Sequence, residues 1–393
     1  MYNYCMNLEE IKNKKILLFG KPRAFSEEEF LSQLKQLQSE LVQEYNEDLA
    51  FVVDGRMMTP YEQIKSDVLY EEQGVQAVSI DILERVLAEN INENSLLMSL
   101  KLSHDKERLK SFIQNTMIPD ALFFRLIKMY DWQGEDFFEN DDNRDVSAAF
   151  IGRFYENIER NHNVQYATTG FMHLVAQAKN STLLEAIASL APLSFHSKIK
   201  TAIAMNPYLD AAVQKKFARV GGEQILEALS LNVNLDKELV ESFLNDTLLQ
   251  GNVVRFVKLD STLFQSFLGN YKEVALNETL TLAMQEALLV LNDTTTNLFL
   301  SQNTKLELQV LEKLLANADE PLALALYENS ATPQTILTQA YENPCYHEAL
   351  AKNENTPVEI LYQLQLDSRY ERYVKTNAGF GKHIQSENIG WMV

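Results

Sequence analysis

Residues 329–377 read NSATPQTILTQAYENPCYHEALAKNENTPVEILYQLQLDSRYERYVKTN, and the passage is close to two copies of one unit. Asn329-Ser-Ala-Thr332-Pro333 opens the first copy and Asn353-Glu-Asn-Thr356-Pro357 the second. A threonine ahead of a proline predicts an N-cap followed by the first helical position. The helix then buries Ile336 and Leu337, or Ile360 and Leu361. A turn such as Glu342-Asn343-Pro344 leads to a second helix carrying Ala349-Leu350 or Tyr373-Val374. The next asparagine stops that helix, a role expected to use the left-handed conformation asparagine tolerates.

The unit extends outward in both directions. Asn180, Asn206, Asn232, Asp260, Asn277, Asn303, Asn329, Asn353 and Asn377 recur at steps of 26, 26, 28, 17, 26, 26, 24 and 24 residues. Seven places after each anchor stands an apolar residue, from Ile187 and Val213 through Val310 and Ile336 to Ile384. Three places before the last eight anchors the same holds, from Ile203 to Val374. A helix pair of this kind cannot bury its apolar face alone, so stacked neighbours must share a core. These residues predict an all-α solenoid over 180–393 with a long concave surface, closed by a half-repeat at 379–393 in which Trp391 covers the last apolar face. The 17-residue step predicts a truncated repeat. Residues 98–179 are helical by pattern, a connecting region expected to begin the solenoid. Within them GEDFFENDDNRD, 134–145, reads as a solvated acidic loop. The Asn-x-x-Thr-Pro signatures and Asp367 resemble leucine-rich repeat variant repeats, and more loosely HEAT-like helical repeats.

Residues 1–97 follow another rhythm. Lys15–Phe19 is an apolar run ending at Gly20, a buried strand and a turn. Ser26 and Glu29 form a capping-box pattern before a helix, and Thr59-Pro60 with Glu62 forms a second. Residues 40–45, 49–53 and 75–79 are β-rich, Gly74 stops the second helix, and Asp81 caps a third. The order β-α-β-β-α-β-α predicts a four-stranded, mostly parallel sheet with three helices. That order, Gly20, and the run from Lys65 to Gly74-Val75-Gln76-Ala77-Val78-Ser79 resemble a BRCT domain over about residues 13–95. The chain departs from the family pattern at Ile82, where a tryptophan is expected, at Ser39-Glu40, where a glycine pair is expected, and at Phe19, where a hydroxyl residue is expected. Many BRCT domains bind phosphopeptides, so the resemblance makes Gly20, Lys21 and Lys65 the phosphate-binding candidates. Phe19 cannot donate a hydrogen bond, and the residues favour a BRCT-like fold whose phosphate pocket is defective.

Composition narrows the chemistry. With 13 Gly and 9 Pro in 393 residues the chain carries less than half the usual punctuation, which excludes collagen-like and turn-rich all-β architectures. The net charge is −20, and residues 1–97 alone hold 9 basic against 18 acidic side chains. No basic stripe exists to displace counterions from nucleic acid, so direct DNA binding is not expected. Two cysteines 340 positions apart, Cys5 and Cys345, make neither a disulfide framework nor a metal motif. The first 15 residues lack the apolar run of a secretory signal, and no 18-residue apolar stretch occurs, so a cytoplasmic chain without a membrane span is expected. None of His104, His162, His173, His196, His347 and His383 sits in a zinc signature. Asp141-x-Asn143-x-Asp145 resembles the start of a calcium loop, but Val146 and Gly152 replace its glycine and closing glutamate. No catalytic residue, metal or cofactor is predicted. The expectation is a non-enzymatic interaction scaffold for a protein partner. A factor acting beside bacterial replication or repair machinery is the second reading, and a helical-repeat DNA glycosylase the third.

Overall fold

The computed structural model describes residues 6–157 and 162–387, the side chains of Glu72 and Gln73 excepted. Cys5 and Trp391 lie outside the described residues. The fold is mixed, a small parallel sheet with helices followed by many further helices. The chain divides into two compact units, Met1–Ile203 and Ala204–Val393.

In the first unit a short helix α1 (Leu8–Ile11), which the sequence pattern did not suggest, precedes β1 (Lys15–Phe19), α2 (Glu27–Gln36), β2 (Glu40–Val42), β3 (Leu49–Asp54), α3 (Pro60–Gln73), β4 (Gln76–Ser79) and α4 (Ile80–Glu89). All strand pairs are parallel, in the order β2-β1-β3-β4. Consecutive residues Ile16 and Leu17, and Phe51, Val52 and Val53, are buried, as strands covered on both faces require. On one face Leu17, Phe19 and Val52 pack with Leu69 of α3. Thr59 and Glu62 form the full reciprocal capping box, and Gly74 ends α3 at φ 64°.

Three local expectations change. Ser26 caps α2, but Glu29 turns away to bond Gln33 and Arg108, each at 2.9 Å. The cap of α4 is Ser79, whose hydroxyl accepts from the Asp81 N–H; Asp81 instead pairs with Arg23 at 3.0 Å. The acidic segment is a loop only as far as Asn140, which caps a helix over Asp141–Phe154. Phe137 is wholly buried, and the Asn143 side chain bonds the carbonyls of Trp132 and Asp136 and accepts from the Tyr130 hydroxyl. Asp142 sits between Lys106 and Lys110 at 2.8 and 2.7 Å, and their hydrogen bonds draw its pKa down to about 2. The Asn140 cap and acidic residues in the first turn start this helix, and lysines of another helix pair with one of them.

The second unit is a succession of short helices, and its regularity rests on buried asparagines. At Asn232, Asn277, Asn303, Asn329, Asn353 and Asn377 the side-chain amide donates twice to the preceding repeat. Asn303 donates to the carbonyls of Ala275 and Asn277 at 2.9 Å, and Asn329 to those of Ser301 and Asn303 at 2.6 and 2.8 Å. Asn353 donates to Tyr327 and Asn329 at 2.8 and 2.7 Å, and Asn377 to Ala351 and Asn353 at 3.0 and 2.9 Å. Asn232 does the same to Ala204 and Asn206. The side-chain oxygen accepts from the backbone two residues on, as from Lys305 at 2.8 Å and Ala331 at 2.7 Å. Backbone at Asn329, Asn353 and Asn377 is extended, with φ between −73° and −68°, so the expected left-handed cap is not how these residues act. They tie repeats together.

This ladder corrects the register at one anchor. Asn277 donates to the carbonyls of Val254 and Val257, at 2.9 and 2.8 Å, so Val257 holds the anchor position and the short step is 20 residues. Asp260 is an exposed N-cap accepting from Leu263, and Asn180 likewise caps its own helix through Thr182. Thr332 and Thr356 do not cap the helices that follow. Pro333 and Pro357 occupy the N-cap positions, and the buried hydroxyls turn back to the carbonyls of Leu326 and Leu350 at 2.5 and 2.7 Å. Three places before the anchors the burial is complete at Leu229, Val274, Leu300, Leu326, Leu350 and Val374. Seven places after, Ile360 is buried but Ile336 only half so, because Leu337 and Leu361 take the deepest position.

Asn303→Ala removes the side-chain donor to the buried Ala275 carbonyl and one of two donors to that of Asn277, which keeps the Leu280 N–H, and should cost about 1–3 kcal/mol in urea unfolding. Asn303→Asp, which sets a carboxylate against those carbonyls, should cost more. Leu337→Asp should cost at least about 4 kcal/mol, and Ile336→Asp about 1 kcal/mol or less, by the same measurement.

Candidate functional site

The three phosphate candidates surround the loop after β1. Gly20 has φ +72°, and a Cβ there would stand 2.5 Å from the Arg56 carbonyl, so this position admits only glycine. The closeness arises because Lys21 and Arg56 exchange backbone hydrogen bonds of 2.8 and 2.7 Å. The Gly20 N–H is engaged by a carboxylate of the chain itself, Glu62 Oε1, at 3.3 Å. Glu62 also accepts from the Thr59 N–H and hydroxyl, and these bonds, with the Gly20 N–H last among them, hold its carboxyl below the usual range.

Farther along the loop three consecutive N–H groups, of Arg23, Ala24 and Phe25, converge on the fully buried carboxylate of Glu84 at 2.9–3.1 Å. Successive amides of this kind make an anion-binding concavity, and here α4 supplies the anion. Lys21 pairs with Glu27 at 3.2 Å. Lys65 lies on the exposed side of α3, its ammonium 4.7 Å from the centre of the Tyr61 ring. Phe19 points into the sheet core and brings no hydroxyl. A phosphate arriving at Gly20 therefore meets Glu62 already on the amide.

The second unit offers concave surface instead. One groove of about 600 Å³ follows the ladder. Its walls are the residues flanking successive anchors: Gln302 and Thr304, Glu328 and Ser330, Lys352 and Glu354, Thr376 and Ala378. Ladder bonds consume the asparagine side chains, so the flanking residues face the groove. Lys352 is held by Glu328 and Glu348, at 3.6 and 3.0 Å, and lies over the Tyr373 ring. A second groove of about 630 Å³ lies between the helices Leu282–Val290, Thr294–Ser301, Leu308–Leu315 and Glu320–Glu328. Asn297 lines it, and its buried side-chain oxygen has no hydrogen-bond partner among the described residues.

Two further structural residues escaped the sequence reading. Gln214 and Gln285, buried in otherwise apolar helix faces, each clasp backbone groups of the following repeat through Asn234 and Asp236, or Lys305 and Glu307. Their signal was a glutamine eight places after Asn206 and Asn277. His196 bonds Asp136 at 2.6 Å and stacks on Phe137, a packing role, while His347 bonds the Tyr341 carbonyl. Among the described residues no group of three or more His, Cys, Asp or Glu could hold a metal ion, and no helix is long and apolar enough to cross a membrane. Compared with known proteins, the chain matches no family model, no curated protein and no solved structure.

Glu84→Ala leaves three loop N–H groups without an acceptor and should lower the stability of the first unit by about 3 kcal/mol. Hydrogen exchange at Arg23–Phe25 should rise before exchange in β1 does.

Proposed function

We propose that this protein is a non-enzymatic interaction scaffold whose repeat helices hold an extended segment of a protein partner. The observation that carries this reading is the ladder groove, in which side chains one repeat apart line a single channel on a backbone held by buried hydrogen bonds. A preordered channel spares the partner much of the cost of ordering the receptor. An extended chain advances about 3.3 Å per residue, so roughly three residues span the 8–10 Å between packed helices. Recognition residue by residue along the groove follows from that match.

On this reading residues 180–393 belong with leucine-rich repeat variant or HEAT-like arrays, which the helix pairs and the 24–28-residue steps support. Residues 1–97 belong with BRCT-like modules, supported by the element order and the parallel sheet. The internal carboxylates at Gly20 and at Arg23–Phe25 favour such a module serving as a fold rather than a phosphopeptide reader. The acidic balance argues against a role through direct DNA contact.

Cross-linking in the native host followed by mass spectrometry should map a partner onto the residues flanking Asn303–Asn377. Thr304→Trp and Thr376→Trp, both exposed, should keep the unfolding free energy within about 0.5 kcal/mol of the parent and lose that partner. Sub-micromolar DNA binding with a steep salt dependence would instead favour the replication or repair reading.

A further inference from the structure

The repeat pattern breaks at Tyr327. Two places before an anchor the chain carries a small, fully buried residue: Ala204, Ser230, Ala275, Ser301 and Ala351. The carbonyls of Ala204, Ala275, Ser301 and Ala351 accept from the next repeat's asparagine, so a small side chain lets that repeat approach. Arg255, before Val257, and Lys375, before the last anchor, are exposed, so Tyr327 is the one large residue at this position that stays half-buried among the described anchors. At Asn329 the position is Tyr327. Its carbonyl keeps the ladder bond to Asn353 at 2.8 Å, but its ring cannot lie where a methyl fits. It leans out, half-buried, against Tyr346 with the ring centres 4.6 Å apart. Departures from a repeat's own packing rule mark places shaped by something other than stability.

The two rings stand at a groove of about 480 Å³, bounded by Leu315, Ile336 and Ala340 and by the carboxylates of Glu312 and Glu342. No lysine or arginine lines it, and neither carboxylate has a cationic partner among the described residues. Neighbouring Lys313 is already paired with Glu286 at 2.7 Å. Aliphatic walls, electron-rich ring faces and two unpaired carboxylates suit a long apolar stem with a positive head. An anion would be repelled, and a purely apolar group would strip water from the carboxylates without pairing them.

We propose that this pocket seats a lysine or arginine side chain of a basic segment in the partner protein. The inference rests on the scaffold reading and names the chemistry of the partner. The chain's net charge of −20 draws such a segment in the same direction.

The full chain, labelled at its methyl groups, is titrated by NMR at low salt with three blocked pentapeptides: Gly-Gly-Lys-Gly-Gly and its Arg and Gln counterparts. The Lys and Arg peptides should shift the Ile336 and Leu315 methyls and bind at least about fivefold more tightly than the Gln peptide. That preference should vanish in E312Q/E342Q, whose side chains are exposed and whose unfolding midpoint should match the parent, and should fall in Tyr346→Leu. Equal binding of the Gln peptide, shifts confined to other surfaces, or a preference that survives E312Q/E342Q overturns the proposal. Such a result leaves the scaffold reading to its own variants. A partner retained by Thr304→Trp and Thr376→Trp defeats the scaffold reading even where this pocket keeps its selectivity.

Discussion

A primary amide has two donors and an acceptor on one rigid plane, and the second unit is organised around that fact. Each buried asparagine spans a gap between repeats with its Nδ2 and fastens its own turn with its Oδ1. The carbonyls it reaches close the last turn of the preceding helix, where backbone acceptors have no partner within the helix. The anchor's own carbonyl also accepts from the backbone three residues on, as Asn303 does from Leu306 at 3.1 Å, and burial makes any acceptor left unmet costly, so the amide is most valuable where water is absent. No other short side chain offers the same pair of donors with an acceptor. Helix lengths can then vary, as the shorter step to Asn277 shows, while the junction geometry stays the same.

The first unit meets a similar demand with charge. Tight approach of the loops after β1 and β3 turns several N–H groups in one direction, and Glu62 and Glu84 answer them from α3 and α4. The carboxylates join the helices to the carboxyl ends of the strands, where open parallel sheets otherwise receive ligands. Anion-binding geometry is thus present and internally satisfied.

These two solutions differ in what they leave exposed. Where backbone donors and acceptors are met internally, the loop is structural. Where the asparagines fix the backbone and leave flanking side chains exposed, each repeat can vary its outward residues without loss of fold. Glu328, Lys352 and Glu354 vary in charge along the groove on that frame. Tyr327 goes further and alters a packing position, and the cost in local packing is accompanied by an acidic aromatic pocket.

Much of this was legible in the residues. Short-range chemistry determined it: the order of strands and helices from Lys15 to Asn90, the Thr59–Glu62 box, the Gly74 stop, and the repeat period with its apolar positions depend on neighbours within a turn or two. Errors arose where a polar group's partner belonged to another element than the helix it adjoins. Sequence placed Thr332 as a cap because the helix it precedes is adjacent, whereas its hydroxyl meets Leu326 in the helix before. Glu29, read as half of a capping box, is claimed by Arg108. Asp142, read as part of a solvated loop, pairs with Lys106 and Lys110, although the Asn140 cap and the acidic first turn that start its helix were local signals the reading passed over. Asp260 matched the anchors in polarity, yet Val257 occupies the junction, because its carbonyl alone is needed there. The candidate site divides in the same way. Gly20 and its turn follow from the local sequence, but the occupation of its N–H by Glu62, 42 residues away, and the meeting of Tyr327 with Tyr346 were decided by tertiary structure. Period and propensity are properties of adjacent residues, while the partner of a buried donor is chosen by whichever acceptor folding brings within 3 Å.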